Sequence, residues 1–183
     1  MLTICRSQLE SPLGTMLALA SDQGLCALEF PRRDGPALPE RLQRRLQRWF
    51  PRHEIVDHET PVLARTRDWL TAYFDGASAA APAANELPLD LRGAPFERRV
   101  WAALIEIPAG ATASYGAIAA KLNAPGASRA VGAANGANPV SIIVPCHRVI
   151  GSSGKLTGYG GGLDRKKWLL DHEAKWRSQT RLF

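Results

Sequence analysis

What this sequence lacks narrows it first. No stretch of its 183 residues approaches the roughly 18 apolar residues of a membrane span, and the opening MLTICRSQLE has no basic segment followed by a long apolar one. A soluble, cytoplasmic protein is the expectation. Only three cysteines are present, Cys5, Cys26 and Cys146, with no Cys-x-x-Cys spacing, which excludes a disulfide framework and a four-cysteine zinc site. Cys5 and Cys26 on neighbouring strands, joined by His53, would make a metal site, but small core thiols are the expected reading. No coiled-coil heptads or long exposed strand edge force assembly, so a monomer is the default.

What is there begins with a 45% hydrophobic content, enough for a core without an external staple. The net charge of +6 is uneven. Residues 1–92 carry 11 Lys/Arg against 12 Asp/Glu, net −1, while residues 93–183 carry 12 against 5, net +7. The basic half is therefore the candidate for a polyanionic partner.

Along the chain, LTICRSQ, TMLALAS and LCALEF alternate with the turn-rich SPLG and SDQG, which predicts an antiparallel meander. Leu38, Leu42, Leu46, Trp49 and Phe50 recur at helical spacing, with arginines on a solvated face. Thr60-Pro61 supplies the cap and first residue of a second helix ending at Gly76. Residues 77–92, rich in Ala and Pro, read as a linker between domains 1–76 and 93–183. Pro95 opens a core helix lined by Phe96, Val100, Trp101, Leu104 and Ile107. Ser114 caps YGAIAAKL, and after the break at 123–126 comes ASRAVGAAN, which together predict a helix-turn-helix. The second of those helices is slim, since Ala127, Ala130, Gly132, Ala133 and Ala134 give it little bulk and Arg129 is its one long charged residue. A last helix is expected from about Leu163 to Glu173.

The chemistry belongs to the stretch before that helix. Cys146 is followed directly by His147 and Arg148: basic surroundings favour a thiolate, and an imidazole can take the thiol proton directly or through a water. Neighbours on an extended chain point to opposite sides, so Cys146 and His147 need a bend or a bridging water, and Glu173 is placed to orient the second ring nitrogen of His147. Pro145 disposes Val144 to an extended conformation, and the glycines at 158, 160, 161 and 162 let backbone approach a flat ligand.

Arg129-Ala130-Val131-Gly132, Asn138-Pro139, Pro145-Cys146-His147-Arg148-Val149-Ile150 and Gly158-Tyr159 together closely resemble the O6-alkylguanine-DNA alkyltransferase family, particularly its bacterial stand-alone members. The resemblance implies an α+β, ribonuclease-H-like N-terminal domain and a mostly helical, winged or plain helix-turn-helix C-terminal domain. It implies binding in the minor groove of double-stranded DNA, flipping of an O6-alkylguanine, and one irreversible transfer of its alkyl group to Cys146, with no metal or organic cofactor. O4-alkylthymine is a second candidate lesion, and clustering on DNA is compatible with a monomer in solution.

By the same resemblance His147 is the base acting through water, Glu173 its orienter, Asn138 the residue that fixes the active-site turn, and Tyr115 the proton donor to the leaving guanine. The carbonyls of Cys146 and Val149 recognise the exocyclic amine, Tyr159 packs on the base, and the Gly160 N–H faces O6. Arg129 fills the space left by the flipped base on a helix whose Ala130 and Gly132 meet the groove, while Ser114 and Ser152 contact phosphates. Against vertebrate members, Ser141 replaces a proline and Gly160 a serine, which predicts a wider pocket; Asn135-Gly136 stand where others carry bulkier residues. A helix-turn-helix regulator and a multiple-turnover cysteine hydrolase are the competing readings; the first lacks its cysteine-rich module here, and the second predicts sustained turnover.

Overall fold

The computed structural model describes residues 1–31, 38–76 and 84–179. Strands β1 (Leu2–Leu9), β2 (Met16–Ala20) and β3 (Leu25–Glu29) form the expected antiparallel meander. A fourth strand, β4 (His53–Asp57), pairs parallel with β1, so the sheet is mixed and ordered β3-β2-β1-β4. The sequence pattern does not announce β4: in HEIVD only Ile55 and Val56 are apolar, and no alternation marks a buried face. Because β2 lies between β1 and β3, Cys5 and Cys26 are not on neighbouring strands, which overturns that reading of a metal pair. Cys26 is a core thiol that donates to the Leu19 carbonyl at 3.3 Å, and burial pushes it up to about 12. No described helix is long and apolar enough to cross a membrane.

Six α-helices, two 3-10 turns and a short parallel pair, β5 (Ala113–Ser114) with β6 (Val149–Ile150), complete the elements among the described residues. In α1 (Glu40–Trp49), Leu42 and Leu46 face inward. In α2 (Pro61–Asp75) the Thr60 hydroxyl accepts from the Leu63 N–H at 3.2 Å and Gly76 closes the helix at φ 60°, a left-handed conformation that glycine adopts without a Cβ penalty. α3 (Pro95–Ile105) starts at its proline, with the Glu97 carboxylate accepting from the Ala94 N–H at 2.8 Å. α4 (Tyr115–Lys121) is capped by Ser114, whose hydroxyl accepts from the Ala117 N–H at 3.1 Å, and α5 (Ser128–Gly136) follows after a tight turn. α6 (Leu163–Gln179) runs past Glu173 instead of ending there. Its continuation follows from Trp168, His172 and Trp176 at one-turn intervals: Trp168 stacks on His172 at 4.8 Å between centroids, and His172 meets Trp176 edge-on at 5.0 Å.

The sheet is covered on both faces. Ile4, Leu19 and Cys26 pack with Leu42, Leu46 and Phe50 from the α1 side. On the other face Met16, Ala18 and Leu28 join α2, α3 and the Val140–Val144 segment in one continuous core. Backbone bonds tie the halves: Leu28 donates to Pro139 and accepts from Ser141, both at 2.8 Å, and Leu25 donates to Pro88 at 2.8 Å. Of the expected linker 77–92, residues 77–83 lie outside the described residues, and the remainder runs back beside β3, with the Asp90 N–H donating to Leu25.

Candidate active site

The segment expected to run extended into Pro145 folds as two successive three-residue turns. The Ile143 N–H donates to Ser141 at 2.9 Å around Ile142, whose φ is +72°, and the Cys146 N–H donates to Val144 at 2.8 Å around Pro145 at φ −83°, ψ 63°. The first is the rare, strained sense of the turn, the second the common one. A β-branched residue with positive φ persists only where its surroundings over-determine it, and Asn138 does so. Its Nδ2 donates to Val144 at 2.8 Å and to Val140 at 3.3 Å, and its Oδ1 accepts from the Val140 N–H at 3.0 Å.

A 3-10 turn over Cys146–Arg148 then sends consecutive side chains apart. His147 is fully buried, with Nε2 at hydrogen-bond distance, 2.8 Å, from Glu173 Oε1. Burial alone would raise the Glu173 carboxyl, but the hydrogen bonds from His147 and Arg148 and the charge of Arg148 outweigh it and hold it well below the usual carboxylate range. Glu173 is thus an anion, Nε2 carries the hydrogen, and Nδ1 is left with a bare lone pair. Nδ1 is buried and has no partner among the described residues. Burial also holds the imidazole below its ordinary value against the pull of Glu173, so it rests neutral and able to accept a proton.

Glu173 collects five donors. Oε1 accepts from Tyr73 Oη at 2.7 Å, from His147, and from Arg148 Nη2 at 2.9 Å; Oε2 accepts from Arg148 Nε at 2.9 Å and the Gly110 N–H at 3.0 Å. Arg148, spent on this pair and on the Ile107 carbonyl, does not make the thiol a thiolate. Burial raises the Cys146 thiol, opposed by a hydrogen bond from Asn138 and the charge of Lys166. Burial thus favours the thiol form of Cys146, which suits the second of the two activation routes, removal of the thiol proton by an imidazole.

Around it lie the other expected residues. The Cys146 carbonyl already accepts from Asn135 Nδ2 at 3.3 Å and from the Val149 N–H, and the Val149 carbonyl accepts from Lys166 Nζ at 2.6 Å. Tyr115 Oη sits 3.4 Å from the Thr157 carbonyl and accepts from its hydroxyl at 3.3 Å. The Tyr159 hydroxyl is buried near Ser141 and Cys146, and burial raises it well above its ordinary value. A Cβ on Gly160 would stand 3.1 Å from Arg41 Nη2, so an arginine from α1 occupies part of the width that glycine was expected to leave. Asn135 is buried against the Cys146 carbonyl, not presented to a groove.

Arg129 and Ala130 are exposed on α5 and Ser152 is exposed beyond β6 (Val149–Ile150), while Gly132 turns toward the Tyr115 ring, which a Cβ there would meet at 3.8 Å. Ser114 is half-buried with its hydroxyl engaged as a cap. The structure thus gathers Cys146, His147, Glu173 and Asn138, sets Tyr159 and Ser141 near the thiol, holds Tyr115 against Thr157, and leaves Arg129, Ala130 and Ser152 on the outside. Sequence reasoning missed Tyr73, Gly110, Asn135 and Lys166. Tyr73 lies 100 residues from Glu173, and no local spacing signals such a pairing.

A buried thiol next in sequence to a buried imidazole, itself backed by a five-donor carboxylate, is the equipment of a protein with cysteine-based nucleophilic chemistry. Residues 95–175 match the DNA-binding domain model of 6-O-methylguanine DNA methyltransferase. Similarity to the methylated-DNA–protein-cysteine methyltransferase of Salmonella typhimurium is 43% identity over 175 residues, 94% of this chain and 97% of that one. The counterpart in Mycobacterium bovis is 60% identical over 106 residues, a match spanning 58% of this chain and 62% of that relative's length. The crystal structure of Mycobacterium tuberculosis OGT in complex with DNA superposes with a TM-score of 0.74 at 40% identity, covering 95% of this chain and 94% of the other. The chain belongs to the methylated-DNA–protein-cysteine methyltransferase family.

Proposed function

We propose that this protein repairs DNA by direct reversal, moving the alkyl group of an O6-alkylguanine in duplex DNA onto Cys146. The observation that carries the reading is the bare, buried Nδ1 of a neutral His147 whose other nitrogen is held by Glu173, one residue from a buried thiol. A water between Nδ1 and the thiol passes the proton to His147 as sulfur attacks the alkyl carbon. The carbon–O6 bond breaks, the electron pair leaves with guanine, and Tyr115 supplies the proton that makes the restored base a better leaving group. A thioether has no easy leaving group, so each molecule reacts once.

The remaining roles follow from position. Asn138 fixes the turn, the Cys146 and Val149 carbonyls recognise the guanine amine, Tyr159 covers the base, and Ser141 and Gly160 border the alkyl group. α4 and α5 act as a helix-turn-helix, possessing a slim outer face for the minor groove; Arg129 replaces the flipped nucleotide, and Ser114 and Ser152 lie along phosphates. Residues 1–76 are read as the ribonuclease-H-like domain and 93–183 as the winged DNA-binding one, in a cytoplasmic monomer. The basic charge of the second half suits a duplex partner.

Intact-protein mass spectrometry after incubation with excess duplex containing O6-methylguanine tests this. The wild type is expected to gain one methylene and stop at one equivalent, and Cys146→Ser to gain none. An unchanged mass with the lesion intact overturns the reading.

A further inference from the structure

We propose that Tyr73, on α2 in the N-terminal half, is a positioning residue of the alkyl-transfer relay: by donating to Glu173 Oε1 it takes up part of the carboxylate's charge and sets how strongly Glu173 backs His147. The inference rests on the function proposed above and names a residue of that same site.

The geometry is specific. Tyr73 Oη, His147 Nε2 and Arg148 Nη2 all converge on one oxygen, at 2.7, 2.8 and 2.9 Å. Tyr73 makes the shortest of the three bonds and is itself fully buried. Burial, reinforced by the charge of Glu173, lifts its phenol well above the ordinary value, so it stays protonated and can only donate. The ring is fixed from several sides: it stacks on Trp69 at 5.4 Å, meets Trp176 edge-on at 5.2 Å, and its backbone carbonyl takes His172 Nε2 at 2.8 Å. α2 and α6 are thereby locked in the register that delivers the hydroxyl to Glu173.

The consequence is electrostatic. A donor on Oε1 spreads the negative charge that would otherwise stabilise protonated His147, so it keeps the imidazole less basic. The other groups facing this carboxylate and imidazole are Arg148 on the 3-10 turn, the Gly110 N–H after α3, and Lys166 on α6, with Cys146 and Tyr159 on the thiol side and His172 on the far side of the Tyr73 ring. Arg148 and Lys166 lower His147 in the same sense as Tyr73 and stay in place when the phenol is removed.

The test is the single-turnover rate of methyl transfer from duplex O6-methylguanine as a function of pH. In Tyr73→Phe the midpoint of the acid limb is expected to move up by about 0.7 of a pH unit, the size of one ordinary hydrogen bond expressed as a pKa change. Site-specific 3-fluorotyrosine at position 73, a more acidic and stronger donor, is expected to move it down, and it decides the matter alone if the Phe variant does not fold. Superimposable profiles, with only a lower melting temperature, would make Tyr73 a packing residue and overturn the proposal. A wild type that transfers no methyl group overturns the proposed function itself, an outcome distinct from an unshifted profile.

Discussion

At the scale of single residues, Glu173 carries two burdens. It orients His147, and it neutralises Arg148, which is itself only 7% exposed. Removing one member of a buried pair leaves an uncompensated charge, at a cost of roughly 3–5 kcal/mol, well above the ~1 kcal/mol of an ordinary hydrogen bond. Glu173→Ala is therefore expected to lower the unfolding free energy by about that larger amount, read from denaturant melts at neutral pH. The sign with pH follows from the direction of two shifts. The Glu173 carboxyl is depressed in the folded state, so its stabilisation is present above the ordinary carboxylate value and drains away as pH falls through the folded one. His147 is also depressed, so the unfolded chain binds its proton first, and stability begins to fall below the ordinary histidine value. The wild type should thus lose stability in two stages on acidification, with Glu173→Ala lacking the lower stage. A variant with wild-type stability at neutral pH and an unchanged acid profile would show that the buried pair contributes nothing.

At the scale of elements, the ends of helices were legible and the inner turns were not. Thr60 and Gly76, Pro95, and Ser114 each act through local backbone chemistry, and each bounds a helix where its residue type predicts. β4 was invisible because its pairing with β1 is non-local, and the end of α6 was misplaced because its last turns are set by rings packing edge-on against one another and against α2. The site shows the same division. Cys146, His147, Asn138 and Glu173 stand out by motif, whereas the partners that tune them come from elements far away in the chain. The positive φ of Ile142 in an apolar run that looks extended is the clearest case, because a side chain outside the run imposes it. Asn138→Ala would leave the buried Val140 N–H without its acceptor and take one of two donors from each of the Val140 and Val144 carbonyls, while the strained turn remains to be held. Leaving a buried polar group unpaired costs about 1–3 kcal/mol, so a destabilisation of about that size is expected. Methyl transfer should fall even in the fraction that remains folded, since the Cys146 turn loses its brace. Thermal unfolding alongside single-turnover rates checks both; full-rate transfer by the folded variant would mean the turn is held without Asn138.

At the scale of the whole molecule, the charge asymmetry suggests two independent halves, one neutral and one basic, while the packing argues otherwise. Met16, Ala18 and Leu28 share a core with Trp101, Val140 and Val144, and Leu28 exchanges two backbone hydrogen bonds with the segment that leads into the cysteine turn. Arg41 of α1 reaches the Gly136 carbonyl at the end of α5, Arg165 of α6 lies 4.3 Å over the Phe30 ring, and Tyr73 of α2 reaches Glu173. Cutting the chain at residue 92 would expose the apolar face that covers the sheet and leave buried donors and acceptors on both sides of the cut without partners, costs that a half-sized core cannot offset. The fragment 93–183 holds Cys146, His147 and Glu173, yet is expected to show no cooperative thermal transition and no methyl transfer under conditions where the full chain reacts to completion. Adding residues 1–92 as a separate chain should restore part of the transfer, because the missing contacts are non-covalent. A fragment that melts cooperatively and transfers at the full chain's rate would reduce the first half to a passenger and remove the physical basis for a relay that spans both.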